Sequence, residues 1–138
     1  MPVLTYAVSK QAWFPEGAEG NGMATPRAER KPGDAGAWEG SVHKLDTFRQ
    51  LENDWDGLGA KAPSRDLLAS AIGLAHVLNE QGVQPPQAVV VGLDGSVIFE
   101  WQDADGTFAE VEIVRPYYAE VMLLEPGRPA KHWTLPTE

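Results

Sequence analysis

Beyond residue 40 the spacing of apolar residues changes once, from helical to alternating, at about Gln87. Val42, Leu45, Phe48 and Leu51 or Trp55 recur every three or four residues, which predicts an amphipathic helix over about 41–53 with Ser41 capping its opening turn. His43, Lys44, Asp46, Arg49 and Gln50 then fall on the water side. Leu67, Leu68, Ala71, Leu74, Ala75 and Leu78 predict a second helix. Pro63-Ser64 opens it, Asp66 sits near the positive end of its dipole, and Gly82 with Pro85-Pro86 ends it.

From Gln87 onward the period is two. Residues 88–91 form a strand pattern, Asp94-Gly95 marks a hairpin turn, and Val97, Phe99 and Trp101 alternate with Ile98 and Glu100. A second turn at 104–106 leads to Ala109, Val111 and Ile113, alternating with Phe108, Glu110 and Glu112. Arg115-Pro116 breaks the ladder, and a strand over 117–124 is expected to place Tyr117, Ala119, Val121 and Leu123 on one face. Pro126-Gly127 then turns the chain toward a short edge segment at 132–135. The expected fold is α+β: two helices packed on one face of a four- to five-stranded antiparallel β-meander over 41–138.

Residues 1–40 read as an extended Gly/Pro-rich N-terminal arm. A strand pattern at 3–8 and an apolar anchor at Trp13-Phe14 precede a run of Gly, Ala, Pro and charge over 16–40. That composition buries too little apolar surface to offset its ordering entropy.

The turn at 104–106, taken as a three-residue loop with a bulge, fixes a register. Trp101 then faces Ala109 and Phe99 faces Val111 on the core side, while Glu100 faces Glu110 on the other. Glu112 and Glu120 share that outer face. Like charges directly opposite each other destabilise an antiparallel pair by roughly 0.2–1 kcal/mol, so folding alone supplies no reason for them. An antiparallel sheet often leaves one polar face to water. Here, however, the acids are interleaved with Ile98, Phe108, Tyr118 and Met122, a mixture suited to an interface. The N-terminal arm, through Trp13, Phe14 and 3–8, is a competing cover for the same face.

The formal net charge of −9 sharpens this picture because it is uneven: residues 87–138 hold three basic and nine acidic groups. Such a balance disfavours direct binding to a phosphate backbone and favours a basic protein partner. Absence of cysteine excludes thiolate zinc sites, a cysteine nucleophile and disulfides. No apolar run approaches the roughly 20 residues of a membrane span, and the first residues lack a basic leader, so the expected location is cytoplasmic.

Catalytic chemistry finds little support. Close glutamates suit glycoside hydrolysis only across a cleft, and these lie on a flat sheet face. Asp54-Trp55-Asp56-Gly57 has the start of a calcium loop, but Arg65 stands where the closing glutamate belongs. His43, His76 and His132 show no metal spacing, and no P-loop, G-x-S-x-G or G-x-G-x-x-G occurs. Neither an enzyme, a metal nor a cofactor is expected.

The stretch 52–64 is the most motif-like in the chain. Gly57 and Gly59 permit positive φ in a tight connection, Trp55 is expected to fold beneath it as a core anchor, and Pro63-Ser64 sets the start of the second helix. Asp54 and Asp56 are candidates for a recognition surface as well.

The segment Trp55-Asp56-Gly57-Leu58-Gly59-Ala60-Lys61-Ala62-Pro63, the later Asp94-Gly95-Ser96-Val97-Ile98-Phe99-Glu100-Trp101 and the acidic strand after it resemble small bacterial proteins carried by mobile elements. That group shares a W-D-G-x-G-A-x-x-P signature, a D-G hairpin and an E-x-E-I-type strand. The likeness covers about 45–124, implies the same fold outline and a mobile-element context, and transfers no catalytic residue.

Together these features point to a non-enzymatic acidic protein that neutralises or modulates a basic partner, in the manner of an antitoxin, immunity protein or inhibitor. Glu100, Glu110, Glu112 and Glu120 would meet Lys or Arg, with Tyr118, Phe108 and Trp13 as anchors. The alternative is a structural or assembly component of a phage or mobile element that self-associates through the N-terminal arm.

Overall fold

The computed structural model describes residues 37–135; the expected strand at 3–8, Trp13-Phe14 and nearly all of the arm lie outside them. Helix α1 spans Glu39–Thr47 and tightens into a 3-10 turn at Phe48–Gln50. Helix α2 spans Arg65–Glu80, and five strands follow: β1 Ala88–Val91, β2 Val97–Gln102, β3 Phe108–Arg115, β4 Tyr118–Leu124 and β5 Lys131–Leu135. The strands form one sheet in chain order, every neighbouring pair antiparallel. The α+β meander is thus the observed architecture, with both helices on one face.

The first helix departs from its expected bounds. It begins two residues before Ser41, which lies inside the helix rather than capping it, and Trp38 occupies the N-cap position without a side-chain cap. Burial of Trp38 explains the shift. Its ring is 2% exposed and meets Phe99 and Trp101 edge-on, with centroids 5.8 and 6.3 Å away. Its indole N–H donates to the carbonyl of Val83 at 2.8 Å. The helix therefore starts where Trp38 is held by the core, and it ends early because Leu51 turns to an extended conformation.

Helix α2 follows its amphipathic pattern closely. Ser64 accepts the Leu67 N–H at 3.1 Å as N-cap, and all six apolar stripe residues are buried. Past its end, Gly82 takes φ +84° while the Val83 N–H closes on Leu78 O at 3.0 Å, satisfying a carbonyl the helix leaves open.

The inner face of the sheet carries Val97, Phe99, Trp101, Ala109, Val111, Ile113, Ala119, Val121 and Leu123, which join the helix stripes in a single buried cluster. The β1–β2 and β2–β3 connections share one construction. In each five-residue loop the first residue's N–H bonds the fifth residue's carbonyl, at 2.9 Å for Gly92–Ser96 and 2.8 Å for Asp103–Thr107. Gly95 and Gly106 take φ of +89° and +95°, and Asp94 and Asp105 accept the N–H groups of Ser96 and Thr107. The arrangement is a turn closed by a left-handed glycine bulge.

Tyr117 differs from expectation. It sits in the Pro116-Tyr117 turn at φ +62°, its N–H donates to Ser70 Oγ at 2.8 Å, and β4 begins only at Tyr118. Its ring still packs on the core, but from the turn. The alternation broke here because the register shifts between Ile113 and Arg115, where β3 carries an extra residue.

Candidate functional site

The register places the acids as anticipated. Glu100 lies opposite Glu110, and Glu112 lies opposite Glu120. Followed across all five strands, two rows emerge on the outer face. One runs Ala88, Glu100, Glu110, Met122, His132; the next runs Val90, Ile98, Glu112, Glu120, Thr134. Phe108 sits beyond the first row, opposite Leu124, and Tyr118 beyond the second, opposite Arg115. Four carboxylates thus occupy adjoining positions on three central strands, bordered by apolar side chains at both ends.

Glu110 is at the middle of this block. It is half-buried, and its carboxyl is pushed above the ordinary carboxylate value, chiefly by burial and then by the charges of Glu100 and Glu112. Glu112 accepts a hydrogen bond from the buried Ser96 hydroxyl at 2.7 Å, which holds its carboxylate toward the β1–β2 end. Among the described residues no ion pair involves any of the four: the three found are Arg49–Asp46, Arg128–Glu125 and Lys131–Glu125. The cation nearest in register, Arg115, rests over the ring of Tyr118 at 4.0 Å instead. Trp13 lies outside the described residues. Ser96 is the polar member not singled out from the sequence as part of the face; its place two residues before Ile98, on the same side of the alternation, was the available signal.

The joint at 52–64 uses its acids internally. Asp56 accepts the N–H groups of Leu58 at 2.8 Å and Ala60 at 3.0 Å, and Asp54 accepts that of Gly59 at 2.7 Å. These bonds hold the Asp56 carboxyl below its ordinary value. Gly57 and Gly59 take φ of +75° and +94°, as their place required, and Pro63 is buried ahead of the Ser64 cap. Trp55 is not the core anchor expected. It is half-buried, its indole N–H donates to Lys61 O at 2.9 Å, and it stands outside the core cluster, where Trp38 takes that place. The joint's far limb docks on the first hairpin, with the Lys61 N–H bonded to Leu93 O at 2.9 Å.

Among the described residues no group of three or more His, Asp or Glu side chains converges as a metal site would require. No helix among them is long and apolar enough to cross a membrane. Comparison with protein-family models, with curated proteins and with solved structures found no match to this chain.

Proposed function

We propose that the outer sheet face binds a basic protein partner, the chain acting without catalysis to neutralise or modulate it, as antitoxins, immunity proteins and inhibitors do. The observation that carries this reading is the pair of directly opposed carboxylates, Glu100–Glu110 and Glu112–Glu120, with no cation against them among the described residues. Each such pair costs folding a few tenths of a kcal/mol. A Lys or Arg side chain lowered between the rows would remove that cost and supply steering at long range. Phe108, Tyr118, Ile98 and Met122 border the acids and offer the apolar contact that charge alone lacks. A partner that grips nucleic acid would meet the carboxylate rows as it meets phosphates.

The test is calorimetric titration of the full chain against a co-encoded basic protein over a salt series. Affinity should fall steeply with salt, and the Glu110→Lys/Glu112→Lys variant, with an unchanged circular dichroism spectrum, should lose binding. Salt-insensitive binding, or binding kept by that variant, would refute the proposal.

A further inference from the structure

We infer, resting on the reading of the outer face as the surface for a basic protein, that the element it receives is an α-helix lying obliquely across β2, β3 and β4 with Lys or Arg at every fourth position. Both helices of this chain pack on the other face of the sheet, and Val90 and Leu124 at the margins of the outer one are 39% and 37% exposed. The carboxylates on it have a direction. Neighbouring strands stand about 4.8 Å apart, and two residues advance about 6.8 Å along a strand. Glu100 and Glu120, two strands across and two residues along, are therefore about 12 Å apart. The midpoint of Glu110 and Glu112 falls on the line joining them, about 6 Å from each. Ser96, beyond Glu112 on the side away from Glu110, holds Oε2 of Glu112 at 2.7 Å and so keeps the middle pair apart about that line.

Three acidic stations about 6 Å apart match an α-helix, in which residues four positions apart share a side and rise by about 6 Å. Spacing alone also suits an extended segment, whose same-side residues recur about every 6.8 Å. The flanks decide between the two. Ile98 and Met122 stand about 5.5 Å to either side of the acidic line, about 11 Å from each other, and a helix with its side chains is about 10–12 Å wide. Val90 beside Ile98 and Leu124 beside Met122 extend each flank. A helix reaches both flanks with apolar residues on either side of its cation stripe, whereas an extended segment turns every second side chain away from the sheet and reaches neither. The helix belongs to a different protein rather than to a second copy, because α1 carries Lys44 and α2 carries Arg65 as their only Lys or Arg.

Two alanine-based peptides of about 18 residues and identical composition, titrated calorimetrically into the full chain at low ionic strength, test this. One carries three arginines four residues apart with leucines beside the stripe. The other spaces its arginines two residues apart, which makes a row on an extended segment but scatters them around a helix. The first should bind at least about tenfold tighter, gain helical circular dichroism on binding and shift the amide resonances of β2, β3 and β4. Ile98→Ser/Met122→Ser, with its own spectrum unchanged, should erase the tenfold preference and leave the salt dependence in place. Equal affinities, or binding of neither peptide, would overturn the helix. The basic-partner reading fails separately, if the co-encoded protein does not bind in the salt series. Displacement of residues 1–36 from the face, or a change of oligomeric state on adding peptide, would give the face to that occupant and overturn the inference as well.

Discussion

The indole N–H of Trp38 donates to the carbonyl oxygen of Val83 at 2.8 Å, tying the first turn of α1 to the segment that leaves α2. One buried bond thus closes the helical layer over the Phe99–Trp101 pair, whose rings stand perpendicular at 88°. Replacing Trp38 by Ala should cost roughly 3–5 kcal/mol by cavity formation. Trp38→Phe keeps much of the ring contact yet leaves the Val83 carbonyl unpaired, for about 1–3 kcal/mol. Urea unfolding of the full chain, compared at constant m, measures both.

Glu110 carries the opposite sign. Its folded-state pKa is raised by burial and by Glu100 and Glu112, so the native state binds a proton at higher pH than the unfolded chain does. Stability must then fall as pH rises from the ordinary glutamate value through the raised one, and the penalty is complete above it. Glu110→Gln should stabilise the protein at pH 7 by roughly 0.2–1 kcal/mol. The gain should vanish below about pH 4, where the carboxyl is protonated in both states. Thermal unfolding of the two proteins at several pH values decides it; a less stable Glu110→Gln at neutral pH would contradict the repulsion.

Asp56 titrates the other way. The N–H groups of Leu58 and Ala60 hold its carboxyl below the ordinary value. The stability it adds is present above the unfolded pKa and disappears as pH falls through the lower, folded one. Asp56→Asn should flatten the acid limb of a stability–pH curve below about pH 4 and lower stability at pH 7. An acid limb unchanged by the substitution would show that the joint opens before Asp56 protonates.

Gly95 tests the docking of the joint on the sheet. It holds φ +89°, and a Cβ there would stand 3.1 Å from the Ala62 carbonyl oxygen. Gly95→Ala should destabilise the fold by about 1–3 kcal/mol, because the strained backbone leaves no relaxed alternative while Lys61 stays bonded to Leu93. Chemical denaturation provides the number, and the Lys61 amide, followed by hydrogen exchange, should lose protection first.

Much of this architecture was legible because the local rules agree with one another. The α2 stripe, its Ser64 cap and its Gly82 stop all point to one helix, and the glycine bulge at Gly106 fixes the β2–β3 register that aligns Glu100 with Glu110. Trp38 was hidden for a physical reason. It stands among Gly33, Gly36 and Gly40, a composition that signals an unpacked segment, and only the tertiary gap beside Phe99 draws it inward. Trp55, in the stronger motif, took the expected role on paper, yet its nearest need is Lys61 O within the joint. Tyr117 misled through the extra residue in β3, which no period-two count detects. On the outer face the rows of side chains could be read off, whereas the bond from Ser96, one step before β2 on the same face, to Glu112 on the neighbouring strand is announced by no periodic pattern.

The paired five-residue turns have a consequence for how this surface can change. Side chains alternate faces at every residue, so a pairing of β3 on β2 slipped by one residue would send Glu110 and Glu112 toward α2 and bring Val111 and Ile113 to the outside. Burying two unpaired carboxylates opposes that slip, so the turns and the apolar alternation together hold one register. Substitution at the carboxylate positions, by contrast, leaves the ladder intact, and the outer face is free to be rewritten residue by residue while the turns keep their count.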